Sequence, residues 1–166
     1  MDRPCRAVFL MDSAPSGTEH FRPLMLEAVF SRPILYWMGC QSMADGVQRF
    51  FVVSPASFET EIRACFPADT DVVVSEQHSD LMAFLDTDES VLVLNRPALP
   101  FREAGAGFAY AAPGRALRET WKVRLTNAVQ EAILCPGWVP VFNAETLAEL
   151  GPVFEAHRRE MDKQGL

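Results

Sequence analysis

Three short groups of residues and four cysteines have the types and spacing to do chemistry. The first group is Ser13, Ser16, Gly17 and Thr18, followed by Arg22. Hydroxyls, a glycine and a guanidinium suit a phosphate, which the backbone N–H groups of such a loop can cradle. The run has one glycine and fits neither G-x-G-x-x-G nor G-x-x-x-x-G-K-[ST], so a plain surface loop explains it equally well. The second group is Asn95-Arg96, which ends an apolar run. An arginine offsets phosphate charge, whereas Mg²⁺ needs a carboxylate there and none is present. The third, His78-Ser79-Asp80, has the types of a catalytic triad. Triads converge from separate segments, and consecutive residues point in different directions, so no triad is read here. The cysteines stand at 5, 40, 65 and 135 and form no C-x-x-C pair, and the three histidines add no metal-ligand spacing. They are expected to be free, buried thiols.

These groups need elements to position them. Residues 5–11, apolar apart from Arg6, show no in–out alternation, which suits a strand buried on both faces. Residues 12–20 are a loop. Residues 23–30 suggest a short helix, and Ser31-Arg32-Pro33 breaks it and begins another, with Pro33 in the first turn. Residues 49–53 are a second strand. Ser54-Pro55 then caps a helix that buries Phe58, Ile62 and Phe66 at i, i+4 and i+8. A third strand spans 71–75, a short helix 79–85 and a fourth strand 90–94. Residues 96–107 read as loop, 108–111 as an edge strand and 116–134 as a helix. Residues 138–142 suggest an edge strand interrupted by Pro140. Asn143 caps a last helix toward residue 165, which Gly151-Pro152 should kink or split.

Strand and helix alternate, so the expected fold class is α/β, with a mostly parallel sheet flanked by helices on both sides and a C-terminal helix. The 166 residues suit one domain over 1–142 with a helical segment, 143–166, packed on it or extending from it. Ligands of such a sheet bind beyond the carboxyl ends of the strands, which directs attention to the loops after the first, third and fourth.

Charge narrows the partners. The chain carries a formal −7, which disfavours duplex nucleic acid. Residues 57–89 hold nine carboxylates against Arg63 alone, and residues 96–124 are mostly basic. Two solvated faces explain this pattern, and so does a basic border around a small anion. No apolar run exceeds five residues, far below a membrane span or a signal-peptide core, so the cytoplasm is the expected location.

Four stretches carry a family resemblance. The run Ala7-Val8-Phe9-Leu10 with its loop stands where the sugar-phosphate nucleotidyltransferases have a first strand and glycine-rich signature. Ser31-Arg32-Pro33-Ile34-Leu35 resembles their Gly-Lys-Pro-Met-Leu. Residues 49–54 resemble their second strand. Residues 138–147 and the helix after them resemble the segment that closes the domain, with Asn143 near an asparagine pair. Leu125-Thr126-Asn127 resembles a Leu-Thr-Asp motif. Within the family the chain is similar to the uridylyltransferase domain that makes UDP-N-acetylglucosamine, in a shortened and divergent form with a Rossmann-like fold.

The departures bear on activity. By resemblance, Glu19 replaces a phosphate-binding arginine and Leu24 a lysine. The uracil-reading element falls near Gln77 without its Gly-Thr. Asn95-Arg96 stands in place of the metal-binding Gly-Asp, so Asn95, Arg96 and Asn143 mark a former metal-site region. The resemblance therefore implies a catalytically impaired, pseudoenzyme-like nucleotidyltransferase domain binding a nucleotide or phosphate at Ser13, Ser16, Gly17, Thr18, Arg22 and Gln77. A divergent active transferase, using Mg²⁺, and a ligand-free interaction protein are the alternatives. A protein partner or a second copy of the chain belongs with the last of these.

Overall fold

Strand alternation, read through burial, builds the architecture. The structure, a computed structural model, describes residues 4–11, 22–101, 107–108, 110–124, 134–135 and 138–163. Its strands are β1 (Arg6–Leu10), β2 (Ala28–Val29), β3 (Arg32–Pro33), β4 (Arg49–Val53), β5 (Asp71–Ser75) and β6 (Ser90–Leu94), then β7 (Ala98–Pro100), β8 (Gly107–Phe108), β9 (Tyr110–Pro113), β10 (Leu134–Cys135) and β11 (Trp138–Pro140). The helices are α1 (Ile34–Ala44), α2 (Glu59–Arg63), α3 (His78–Phe84), α4 (Gly114–Arg124) and α5 (Ala144–Lys163).

The central sheet runs β5-β4-β1-β6-β9. Its first four strands are parallel, and β9 is antiparallel to β6. Ala7, Phe9, Phe50, Val52, Leu92 and Leu94 point to one face, where they meet Ile34, Leu35 and Met38 of α1, Ile62 of α2 and Phe154 of α5. Val8, Phe51, Val91 and Val93 point to the other, against Leu81 of α3, Leu85 and Leu117 of α4. Burying each large side chain contributes about 1.5–3 kcal/mol, so both faces need cover and the sheet is sandwiched between two helical layers.

Edges and joints are handled individually. Ser54 N–H donates to Ser75 O, so the polar groups of Ser75, Val73 and Asp71 face β4. Those of Val72 then face outward along the edge, and Arg63 donates to Val72 O at 2.8 Å while also pairing with Glu59 at 3.1 Å. Aromatic rings fasten α5 to α1. Trp37 meets Phe154 edge-on at 5.3 Å, Phe154 meets Phe101 at 5.5 Å, and Arg158 lies over Phe30 at 4.5 Å.

Several local expectations are corrected. Residues 23–30 hold only a 3-10 turn, Leu24–Leu26, before β2 pairs with β3. The two residues of that hairpin turn, Phe30 and Ser31, take φ values of 54° and 63°, as a two-residue turn between twisted strands requires. Pro33 pairs in β3 and caps α1 instead of entering it. Ser54 does not cap the next helix; its hydroxyl donates to Pro55 O at 3.1 Å, and a 3-10 turn, Ala56–Phe58, precedes α2. Phe66 is buried but lies beyond the end of α2. Residues 96–107 contain β7, which pairs with β11. Leu134 belongs to a strand, not to the helix read over 116–134, whose residues 125–133 lie outside the described ones. Pro140 fits in β11 because a two-stranded ribbon has only edges. Helix α5 runs through Pro152 as one element. Cys5 is exposed, Cys40 half-buried and Cys65 buried; these three are free. Burial pushes the Cys65 thiol up to about 11, with help from the Glu61 carboxylate.

Candidate functional site

Strand order places the crevice. From β1 the chain moves outward to β4 and β5, then returns to the other side of β1 as β6. The direction reverses between β1 and β6, and a parallel sheet opens beyond its carboxyl ends where its connections diverge. Phe9 lies opposite Leu94 in that pair, so the chain leaving β1 at Leu10 and Met11 and the chain leaving β6 at Asn95 and Arg96 start side by side. Met11 N–H donates to Val53 O at 3.1 Å, which extends the sheet one residue on the β4 side.

A ribbon then brings a distant segment to the same place. β7 follows β6 after three residues and pairs antiparallel with β11, Ala98 opposite Pro140. Val141 N–H donates to Pro97 O at 2.8 Å. Trp138 and Val141 turn into the core, 6% and 1% exposed. Because the strand stops at Pro140, Phe142 turns outward and is 54% exposed. The Arg96 guanidinium lies 5.2 Å from the centre of the Phe142 ring. Asn143 Oδ1 accepts Thr146 N–H at 2.8 Å and the Thr146 hydroxyl at 3.0 Å, which caps α5 as its residue type leads one to expect.

Asn95 and Arg96 therefore lie at one end of β6, and Asn143, next in the chain to Phe142, lies near them. Ser13, Ser16, Gly17 and Thr18 lie outside the described residues. Arg22 is held elsewhere: it pairs with Glu61 of α2 at 3.1 Å and Glu27 at 3.6 Å and donates to Leu26 O at 3.2 Å. Two carboxylates offset its charge. Gln77 sits exposed beyond β5, two strands from β1, where its N–H donates to Ser75 Oγ at 3.0 Å. The Ser75 hydroxyl donates in turn to Asp80 at 2.6 Å, so the carboxylate beside His78 and Ser79 is engaged in a turn. The basic stretch is divided as well. Arg115 lies 3.4 Å from Asp88, and Arg118 3.0 Å from Asp86, at the amino end of β6 and away from the crevice.

Among the described residues, the donors at the crevice do not fit a divalent cation. An amide, a guanidinium and an amide oxygen already bound at a helix cap replace the carboxylates that Mg²⁺ selects. A dication about 6 Å from a guanidinium at an effective dielectric of about 20 is disfavoured by about 5 kcal/mol. Among the described residues no group of three or more His, Cys, Asp or Glu side chains could hold a metal. No helix among them is long and apolar enough to cross a membrane. Sequence reasoning missed Phe142, which it counted as an edge-strand residue; Pro140 was the available signal that the alternation would stop.

No protein-family model matches the chain, and no curated protein does. Solved structures do. The chain is similar to the inositol-1-phosphate CTP transferase from T. maritima, with a TM-score of 0.59 and 9% identity over 96% of this chain and 97% of that one. It is also similar to the 4-diphosphocytidyl-2C-methyl-D-erythritol synthase from Anaerococcus prevotii, with a TM-score of 0.56 and 12% identity over 93% of this chain and all of the other. At these identities the likeness establishes the fold, a Rossmann-like nucleotidyltransferase fold, and does not single out the uridylyltransferases.

Proposed function

We propose that the chain binds a nucleotide or sugar phosphate at the crevice between β1 and β6 and is impaired as a nucleotidyltransferase. The observation that carries this reading is the pairing of Arg96 with Phe142 at the carboxyl end of β6, beside Asn95. Transfer of a nucleotidyl group rests on positioning and on neutralising phosphate charge, and removing one such group typically costs about 10²–10³-fold. A guanidinium in this place supports binding of phosphate and disfavours a metal beside it. UDP-N-acetylglucosamine and UTP follow from the sequence resemblance; cytidine nucleotides follow from the names of the two solved structures.

A thermal-shift scan of the full chain tests the reading. The probes are CTP, UTP, UDP-N-acetylglucosamine and pyrophosphate, followed by a pyrophosphate-release assay with any nucleotide that binds. A ligand at about 100 times its dissociation constant adds about 2.7 kcal/mol, or roughly 5–10 °C for a chain of this size. A shift without pyrophosphate release is expected. Release at an ordinary enzymatic rate would refute impairment, and no shift with any probe would refute the ligand and favour a protein partner.

A further inference from the structure

We infer that the outer face of α5 is a dimer interface, on which a second copy of the chain lays the same helix antiparallel to the first. The inference stands apart from the nucleotide reading. A surface helix buries one apolar stripe and turns polar residues to water. α5 buries Phe154 and packs the half-buried Leu147 and Leu150 against the same core. Its opposite stripe carries Glu149, Pro152, Val153, Ala156 and Arg159, all exposed, at the i, i+3, i+4, i+7 and i+10 spacing of one helix face. The middle of that stripe is apolar: Val153 is 56% exposed. Its charges stand at the ends, with Glu145 and Glu149 toward the amino end and Arg159 toward the carboxyl end. Glu160, beside Arg159, is engaged within the chain.

A two-fold axis at the middle of the helix makes this pattern complementary to itself. Glu149 and Arg159 stand equally far from residue 154, about 7.5 Å along the helix at 1.5 Å per residue. In an antiparallel pair, Glu149 of either copy therefore comes level with Arg159 of the other, and the symmetry makes two such ion pairs. Pro152 of one copy comes level with Ala156 of the other, and Val153 meets its own counterpart beside the axis. Small side chains along the seam let the helix axes approach to about 8 Å, the close end of the usual range. A parallel pair would set Glu149 against Glu149 and Arg159 against Arg159, so charge selects the antiparallel register. One helix crossing covers less than the about 1,200 Å² of a standard interface, so the association is weak and reversible.

Sedimentation velocity of the full chain, from about 5 to about 500 µM, covers the range in which so small an interface associates. The wild type is expected to move from 18.5 kDa toward twice that mass. Glu149→Arg and Arg159→Glu should each weaken the dimer about tenfold, since each turns two attractive contacts across the axis into repulsive ones. They change the net charge in opposite directions, so a loss common to both is not an effect of bulk charge. The double variant Glu149→Arg/Arg159→Glu restores both pairs with the charges exchanged and should associate as the wild type does. Both positions are exposed, so the variants should melt close to the wild type. The wild-type measurement needs no variant to fold. A wild type that stays at 18.5 kDa throughout overturns the inference. So does a dimer that both single variants leave intact, or one that the double variant fails to restore.

Discussion

Alanine at Gly114 and alanine at Gly39 put the same methyl group into two tight places, and the structure separates their effects. At Gly114 a Cβ would sit 2.5 Å from Leu85 O, 2.7 Å from Thr87 Cγ2 and 2.9 Å from Thr87 O. Two of the three obstacles are backbone, and they belong to the turn that leads into β6. To make room, the start of α4 must back away, and doing so stretches two hydrogen bonds: Gly114 N–H to Glu89 O and Arg115 N–H to Thr87 O, both 3.0 Å. Overpacking costs about 1–3 kcal/mol and each weakened hydrogen bond up to about 1 kcal/mol, so a total of about 2–4 kcal/mol is expected. For a chain of this length that lowers the melting temperature by roughly 5–15 °C. At Gly39 the nearest atom is Phe66 Cε1 at 2.9 Å, an atom of a side chain and not of the backbone. The gain of about 1 kcal/mol from replacing glycine inside a helix offsets most of that displacement. Thermal melts followed by circular dichroism should therefore show Gly114→Ala far below the wild type and Gly39→Ala close to it. A Gly114→Ala protein melting within about 2 °C of the wild type would refute the reasoning, as would the reverse ranking.

Other changes have equally definite signs. Ser31 is exposed and left-handed, so Ser31→Gly relieves a strain of roughly 1 kcal/mol and should raise the melting temperature by a few degrees; a lower melting point would show that the turn is not strained. Asn143→Ala removes the cap of α5 and should cost about 1 kcal/mol in denaturant titration, with Asn143→Ser retaining most of it. The Cys65 thiol stays protonated in the folded chain up to about pH 11, whereas in the unfolded chain it ionises near 9.0. Between those values the unfolded chain binds fewer protons, so Cys65 supports stability below about pH 9 and withdraws that support as the pH rises toward 11. The stability of the wild type should fall relative to Cys65→Ala across this window, and parallel curves would contradict it.

What the sequence reveals depends on how locally each element is specified. β4, β5 and β6 are legible residue for residue, at 49–53, 71–75 and 90–94, because each is a short apolar run set off by turn or charged residues. β2, β3 and β7 are not, since two or three residues carry no period and pair only because the fold brings them together. Ser54 looks like a cap by type, yet the chain turns through a 3-10 segment first and its hydroxyl is taken by Pro55 O. At the crevice, Asn95, Arg96 and Asn143 could be named in advance, and the cap made by Asn143 could be as well. The contact of Arg96 with Phe142 could not, because it depends on a ribbon joining residues some forty positions apart. The opposite charges of the two halves pointed equally to open faces and to an anion site; Arg115 and Arg118 resolve part of this by meeting Asp86 and Asp88.

The guanidinium on the outer rim of β5 has a consequence for how copies of the chain behave together. An uncovered strand with outward N–H and C=O groups is a template on which another chain can crystallise into a longer sheet. Val73 is 36% exposed on that strand, so the apolar side chain such growth needs is within reach of solvent. Arg63 occupies the carbonyl of Val72, and Glu59 holds Arg63 in place, so an incoming strand must first evict a charged side chain from its ion pair. Arg63→Ala should leave the chain folded and turn the rim adhesive. Light scattering on heating should then rise at lower protein concentration than for the wild type.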